Sequence, residues 1–126
     1  MDTTISGLAA KGAAATLDTW AAHDWSDGVI LPQLSPHDQL IVRTRNSTYE
    51  IIVLEPRTAS VMVRGGVFFP TFTPARVTGC SMGGSCLKVH GVYPGFHLEL
   101  ATDDLPIITT RMQTVSVLPA RPGSVM

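Results

Sequence analysis

The 126 residues are the length expected of one domain and suffice to close one modest core. With 44% hydrophobic and 15% charged residues and a formal net charge of −1, the composition is globular and speaks against a disordered chain or a broadly cationic surface. A mean hydropathy of +0.22 in so weakly charged a chain points to apolar surface covered by another subunit or partner.

The charge is unevenly placed. Residues 1–38 carry Lys11 against five aspartates, whereas residues 39–126 carry seven arginines and Lys88 against five acidic residues. An acidic arm thus precedes a mildly basic body whose cations are almost all Arg, a side chain suited to bidentate pairing. Two cysteines do not make a disulfide framework. The N-terminus lacks a basic region followed by an apolar run, and no segment approaches the ~20 apolar residues of a membrane span. A soluble, cytoplasmic protein without a membrane span is expected.

In chain order, residues 1–37 read as an arm and linker. Residues 6–25 are rich in Ala and read as partly helical, with Leu17, Trp20 and Ala21 at offsets of three and four on one face. Gly12 weakens that helix by ~1 kcal/mol relative to Ala. Both tryptophans, Trp20 and Trp25, lie in this arm and predict burial on the body or on a partner. Ser26, Asp27, Gly28, Pro32, Ser35 and Pro36 mark a connecting segment.

A β domain is expected over residues 38–118. Leu40, Ile41 and Val42 lead into Arg43, Thr44 and Arg45. A turn at Asn46-Ser47 follows, and then Tyr49, Ile51 and Val53 alternate with Glu50, Ile52 and Leu54, the pattern of a β-hairpin with one buried face. After a turn at Pro56, residues 59–64 form a third strand with Val61 and Val63 facing one way, ending at Gly65-Gly66. Val67, Phe68 and Phe69 continue it briefly before Pro70 and Pro74, which lack the ladder donor and are expected to stop pairing. Further short strands are expected over 76–80, 86–90, 96–101, 105–111 and 114–118, with a glycine loop at 81–85 and a loose tail at 119–126. The sum is a mainly β fold, a small SH3-like barrel or rolled antiparallel sheet of six or seven short strands.

Candidate chemistry is sparse. Gly79-Cys80-Ser81-Met82-Gly83 matches G-x-S-x-G, but a nucleophile elbow needs a following helix and a downstream histidine after an acid, and no histidine follows Asp104. Cys80, Cys86, His90 and His97 are the one set with the donor types of a zinc site, although Cys80 and Cys86 are spaced more widely than the usual structural pair. Arg43, Arg45, Arg64 and Arg76 are candidate anion ligands, the last two flanking the Phe68, Phe69 and Phe72 segment. The chain falls short of the PilZ pattern for cyclic dinucleotides: Arg43 and Arg45 stand two apart rather than four, and residues 78–84 lack the acidic or amide residue of its second segment.

These residues lead to a non-catalytic structural or accessory subunit, not an enzyme, with no cofactor. It would bind a protein partner or a second copy through Leu17, Trp20, Trp25, Phe68 and Phe69. The alternative is a regulator binding nucleic acid or a phosphate ligand through the four arginines.

Overall fold

Alternation decides which face of each segment turns inward, and nine strands result among the described residues. The computed structural model describes residues 25–83, 85–103 and 105–120. The expected helical arm with Leu17 and Trp20, and residues 121–126 of the expected tail, lie outside them. In chain order the strands are β1 (Val29–Ile30), β2 (Gln39–Thr44), β3 (Thr48–Glu55), β4 (Ser60–Gly65), β5 (Phe69–Ser81), β6 (Lys88–Val89), β7 (Gly91–Val92), β8 (His97–Ala101) and β9 (Pro106–Leu118). A 3-10 turn, Leu31–Gln33, follows β1. Among the described residues no helix is long and apolar enough to cross a membrane.

Seven strands form one antiparallel sheet in the order β4-β3-β2-β9-β8-β5-β6, and a further pairing of β4 with β5 bends it into a partly closed ring. Leu40 and Val42 of β2, Tyr49, Ile51 and Val53 of β3, and Val61 and Val63 of β4 all point into the ring. Phe69 and Val77 of β5, Leu98 and Leu100 of β8, and Met112 of β9 complete its core. The alternation expected for the hairpin, for residues 59–64 and for residues 96–101 is therefore the alternation observed. Curling the sheet lets these side chains meet in one interior and pairs strand edges that would otherwise be exposed.

The prolines do not stop β5, contrary to the sequence expectation. Residues 69–75 pair with β4 alone, and β8 joins only from Arg76 onward. Pro74 stands opposite Met62 within the ladder. A strand with one unpaired edge can turn its missing donor outward, so Pro70 and Pro74 are tolerated and discourage pairing with another chain. The strands expected over 105–111 and 114–118 are likewise one strand, β9, kept continuous by bulges. β6 keeps only two residues of the strand expected over 86–90.

Two expected breaks pair with each other instead. Val29 and Ile30, from the connecting segment, pair with Val92 and Gly91. The Leu31 side chain that follows is fully buried, and the Leu31 amide donates to the His90 carbonyl at 3.0 Å. Asp38 ties the two ends of the described chain together. One carboxylate oxygen accepts the Ser35 amide at 2.8 Å, and the other accepts the Ala120 amide at 2.8 Å. Gly79 has φ +149 where β5 bulges between β6 and β8, and a Cβ there would strike the Lys88 carbonyl. Only glycine fits that crossing without strain.

Burial, not residue type, sets the cost of truncation. Leu98→Ala, at a fully buried position, should lower unfolding stability by about 2–5 kcal/mol, whereas Ile108→Ala on the exposed face should stay within about 1 kcal/mol. Denaturant midpoints of the two variants check this.

Candidate functional site

The hairpin that starts the β domain also builds a cationic corner. The Thr44 amide donates to the Ser47 carbonyl at 2.9 Å, so the turn loops out Arg45 and Asn46. The Thr44 hydroxyl accepts the Ser47 amide at 3.2 Å and locks that loop. Arg45 is thereby in the turn itself, while Arg43 remains on β2 between Thr48 and Thr114. Among the described residues neither Arg43 nor Arg45 has an ion-pair partner.

Two bulges bring β9 to the same corner. Arg43 pairs with Thr114 and Thr44 with Met112, which leaves Gln113 as the extra residue. On the other edge of β9, His97 pairs with Arg111 but Glu99 with Ile108. Within that irregularity the Thr109 hydroxyl accepts the Leu98 amide at 3.1 Å. The His97 ring places Nδ1 2.7 Å from the Thr109 carbonyl. A carbonyl can only accept, so Nδ1 carries the proton and Nε2 is left for another partner. Arg111 donates from Nη1 to the Gly95 carbonyl at 2.7 Å, which holds its guanidinium beside the β7–β8 turn.

The result is an open groove of about 640 Å³ lined by Arg45, Asn46, Gly95, His97, Thr110, Arg111, Met112 and Gln113. A smaller one of about 380 Å³ adjoins it through Arg45, Asn46 and Gln113 and adds Arg43, Thr44, Ser47 and Thr48. No carboxylate is among the lining residues of either groove.

The other two arginines of the expected anion set lie elsewhere. Arg64 donates from Nη2 to both carboxylate oxygens of Glu50, at 2.8 and 2.9 Å, and stacks 4.4 Å from the centre of the Phe72 ring. Its charge is already matched, which removes it as a free anion ligand. Arg76 lines a separate cleft of about 250 Å³ together with Asp103, Ser60 and Thr102.

Trp25 is placed on the body. Its ring meets Tyr93 edge-on at 4.9 Å and stacks on Phe96 at 5.2 Å, with the Lys88 ammonium 4.8 Å above it. Gly28 lies so close to the Val92 carbonyl and the Tyr93 ring that no side chain fits between them. Phe68 is exposed on the β4–β5 turn, whereas Phe69, the first residue of β5, points into the core and is not a partner contact, contrary to the sequence expectation.

Cys80, Cys86, His90 and His97 are not gathered. Among the described residues no group of three or more His, Cys, Asp or Glu side chains is arranged to hold a metal ion. Cys80 is buried on β5, Cys86 and His90 occupy positive-φ positions beside β6, and His97 belongs to the cationic corner. Ser81 ends β5 fully buried, and its hydroxyl accepts the Gly83 amide at 3.2 Å. A turn follows, in which the Met82 amide donates to the Ser85 carbonyl at 2.8 Å, rather than the helix an elbow needs.

Arg111, Gln113 and Asn46 complete a site in which only Arg43, Arg45 and His97 stand out in the sequence, and His97 there for a different chemistry. Comparison with protein-family models, curated proteins and solved structures gives no match.

Burial pushes the Cys80 thiol up from 9.0 to about 11, against the pull of a backbone hydrogen bond from Tyr93 and of Lys88. The folded protein therefore keeps the thiol protonated where the unfolded chain ionises it. Stability should be unaffected by this group below pH 9 and should fall as the pH rises towards about 11. Burial also raises the Tyr93 phenol above 10.0, so the Cys80 share is read as the difference in slope between wild type and Cys80→Ala in denaturant unfolding. At pH 8 a thiol reagent should modify Cys86 first and Cys80 only on unfolding.

Proposed function

We propose that this protein is a non-catalytic interaction module, an accessory subunit that engages a protein partner or a second copy of itself through the tip of the β4–β5 hairpin. The observation that carries the reading is the exposure of two adjacent large apolar side chains there, Val67 at 88% and Phe68 at 54%. The tip is firmly seated. Phe69 behind it is anchored in the core, and Gly66, at φ +61, lies against the Tyr49 ring where a Cβ would crowd the phenol oxygen. Apolar groups held out by a fixed turn lose little conformational freedom when covered.

The low charge of the chain supports the same reading, because little charged surface has to be desolvated on association. The arm is the second element of the proposal. Trp25 pins its end to Tyr93 and Phe96, leaving Leu17 and Trp20 upstream as further apolar contacts. The two free thiols, Cys80 and Cys86, fit a reducing compartment such as the cytoplasm.

Phe68→Asp places a charge on the tip without touching the core, so thermal unfolding should move little. Sedimentation of the gently purified full chain should show a dimer or stoichiometric complex for wild type and a lone monomer for the variant. Replacing both Leu17 and Trp20 by Ala tests the arm in the same assay. A wild type that sediments alone, or a Phe68→Asp chain that associates as before, overturns the proposal.

A further inference from the structure

We infer that the groove between the β2–β3 turn and the bulged stretch of β9 binds a small phosphate monoester, held by Arg45 and Arg111. The inference does not rest on the apolar tip. Two cationic side chains reach the lining from separate backbone segments, Arg45 from the hairpin turn and Arg111 from β9. Asn46 and Gln113 add neutral amide donors on the same lining, and no carboxylate on that lining competes for the arginines.

Each arginine has donors to give. Arg45 has no ion-pair partner among the described residues. Arg111 spends one donor on the Gly95 carbonyl, which fixes its plane and leaves the rest of its fork available. His97 lines the same wall, held through Nδ1 by the Thr109 carbonyl with its Nε2 edge turned towards Gly83, and is not one of the ligands.

A phosphate monoester offers three acceptor oxygens spread in a tripod and nearly two negative charges near neutral pH. Two guanidinium forks and two amides on one lining supply donors enough for all three oxygens. A monocarboxylate has two oxygens in one plane and can satisfy one guanidinium fork but not the whole set. A nucleic-acid track is less well served. Arg64 on β4 is paired with Glu50, and Arg76 shares its own cleft with Asp103, so neither extends the positive charge of the groove.

Phenyl phosphate is the probe, with benzoate as the carboxylate control, titrated into the full chain and followed by backbone amide NMR. Saturable shifts should be centred on Arg45, Asn46, Gly95 and Gln113, with benzoate much weaker. Arg45→Ala removes a charge-assisted contact and should weaken binding by about tenfold or more. Arg57→Ala, which removes an exposed arginine from the β3–β4 turn, should leave the affinity unchanged. Absence of saturation, equal response to benzoate, or equal loss with Arg57→Ala overturns the inference. A stronger response to single-stranded oligothymidine, with shifts running out to Thr114 and Ser116, would assign nucleic acid instead and overturn it as well.

Discussion

Everything in this structure depends on β5 being long enough to serve two neighbours in succession. Its first half pairs with β4 and its second half with β8 and β6, so one strand converts an open antiparallel sheet into a ring. Without that bridge, β4 would be an edge strand, and Val61 and Val63 would face the interior from one side only. The bridge demands sharp local bending. β5 shifts register between Val77 and Gly79, at a residue whose backbone lies in a region that side chains disfavour. The strain is absorbed where glycine makes it cheap, and the ladder resumes on the other side.

Ring closure also explains where surface features can arise. Inward positions are spent on the core, so binding groups have to come from turns, bulges and outward positions. The two outward features of interest follow this rule. Val67 and Phe68 sit on the β4–β5 turn, and Arg45 sits on the β2–β3 turn with Arg111 and Gln113 on the irregular part of β9. Bulges re-aim side chains, and here they turn successive β9 residues towards one corner instead of letting them alternate across a regular face.

Much of the sheet was legible because alternation is a local signal. Leu40 and Val42, Tyr49 to Val53, and Phe96 to Leu100 announce both strand and buried face with no knowledge of their partners. Pro70 and Pro74 misled for a physical reason: their cost depends on whether the donor side of the strand faces a neighbour, and that is decided by β8 joining late. Val29-Ile30 and Gly91-Val92 are too short to show periodicity, and their pairing is visible only once Trp25 and Leu31 are packed. The site was half legible. Arg43 and Arg45 stand out near one turn, but Arg111 is distant in sequence and reaches the corner through the β8–β9 register. Nothing local distinguishes it from a solvated arginine in a Thr-rich strand.

A chain with a net charge of −1 can still present a strongly cationic site, because screening makes electrostatics local. At physiological ionic strength the Debye length is about 8 Å, so an anion in the groove senses the groups that line it far more than any charge beyond that length. What matters is which cations are already neutralised. Arg64 is matched by Glu50 at contact distance, and at roughly half exposure such a pair contributes about 0–1 kcal/mol to stability. Its larger consequence is to withdraw one guanidinium from the pool. Arg43, Arg45 and Arg111 are left as a compact group on one corner, with donors held in place by a turn and by the Gly95 carbonyl rather than by counter-charges. Cations positioned by neutral backbone groups keep their charge for a ligand, and that arrangement separates this corner from the ion-paired arginine beside Phe72.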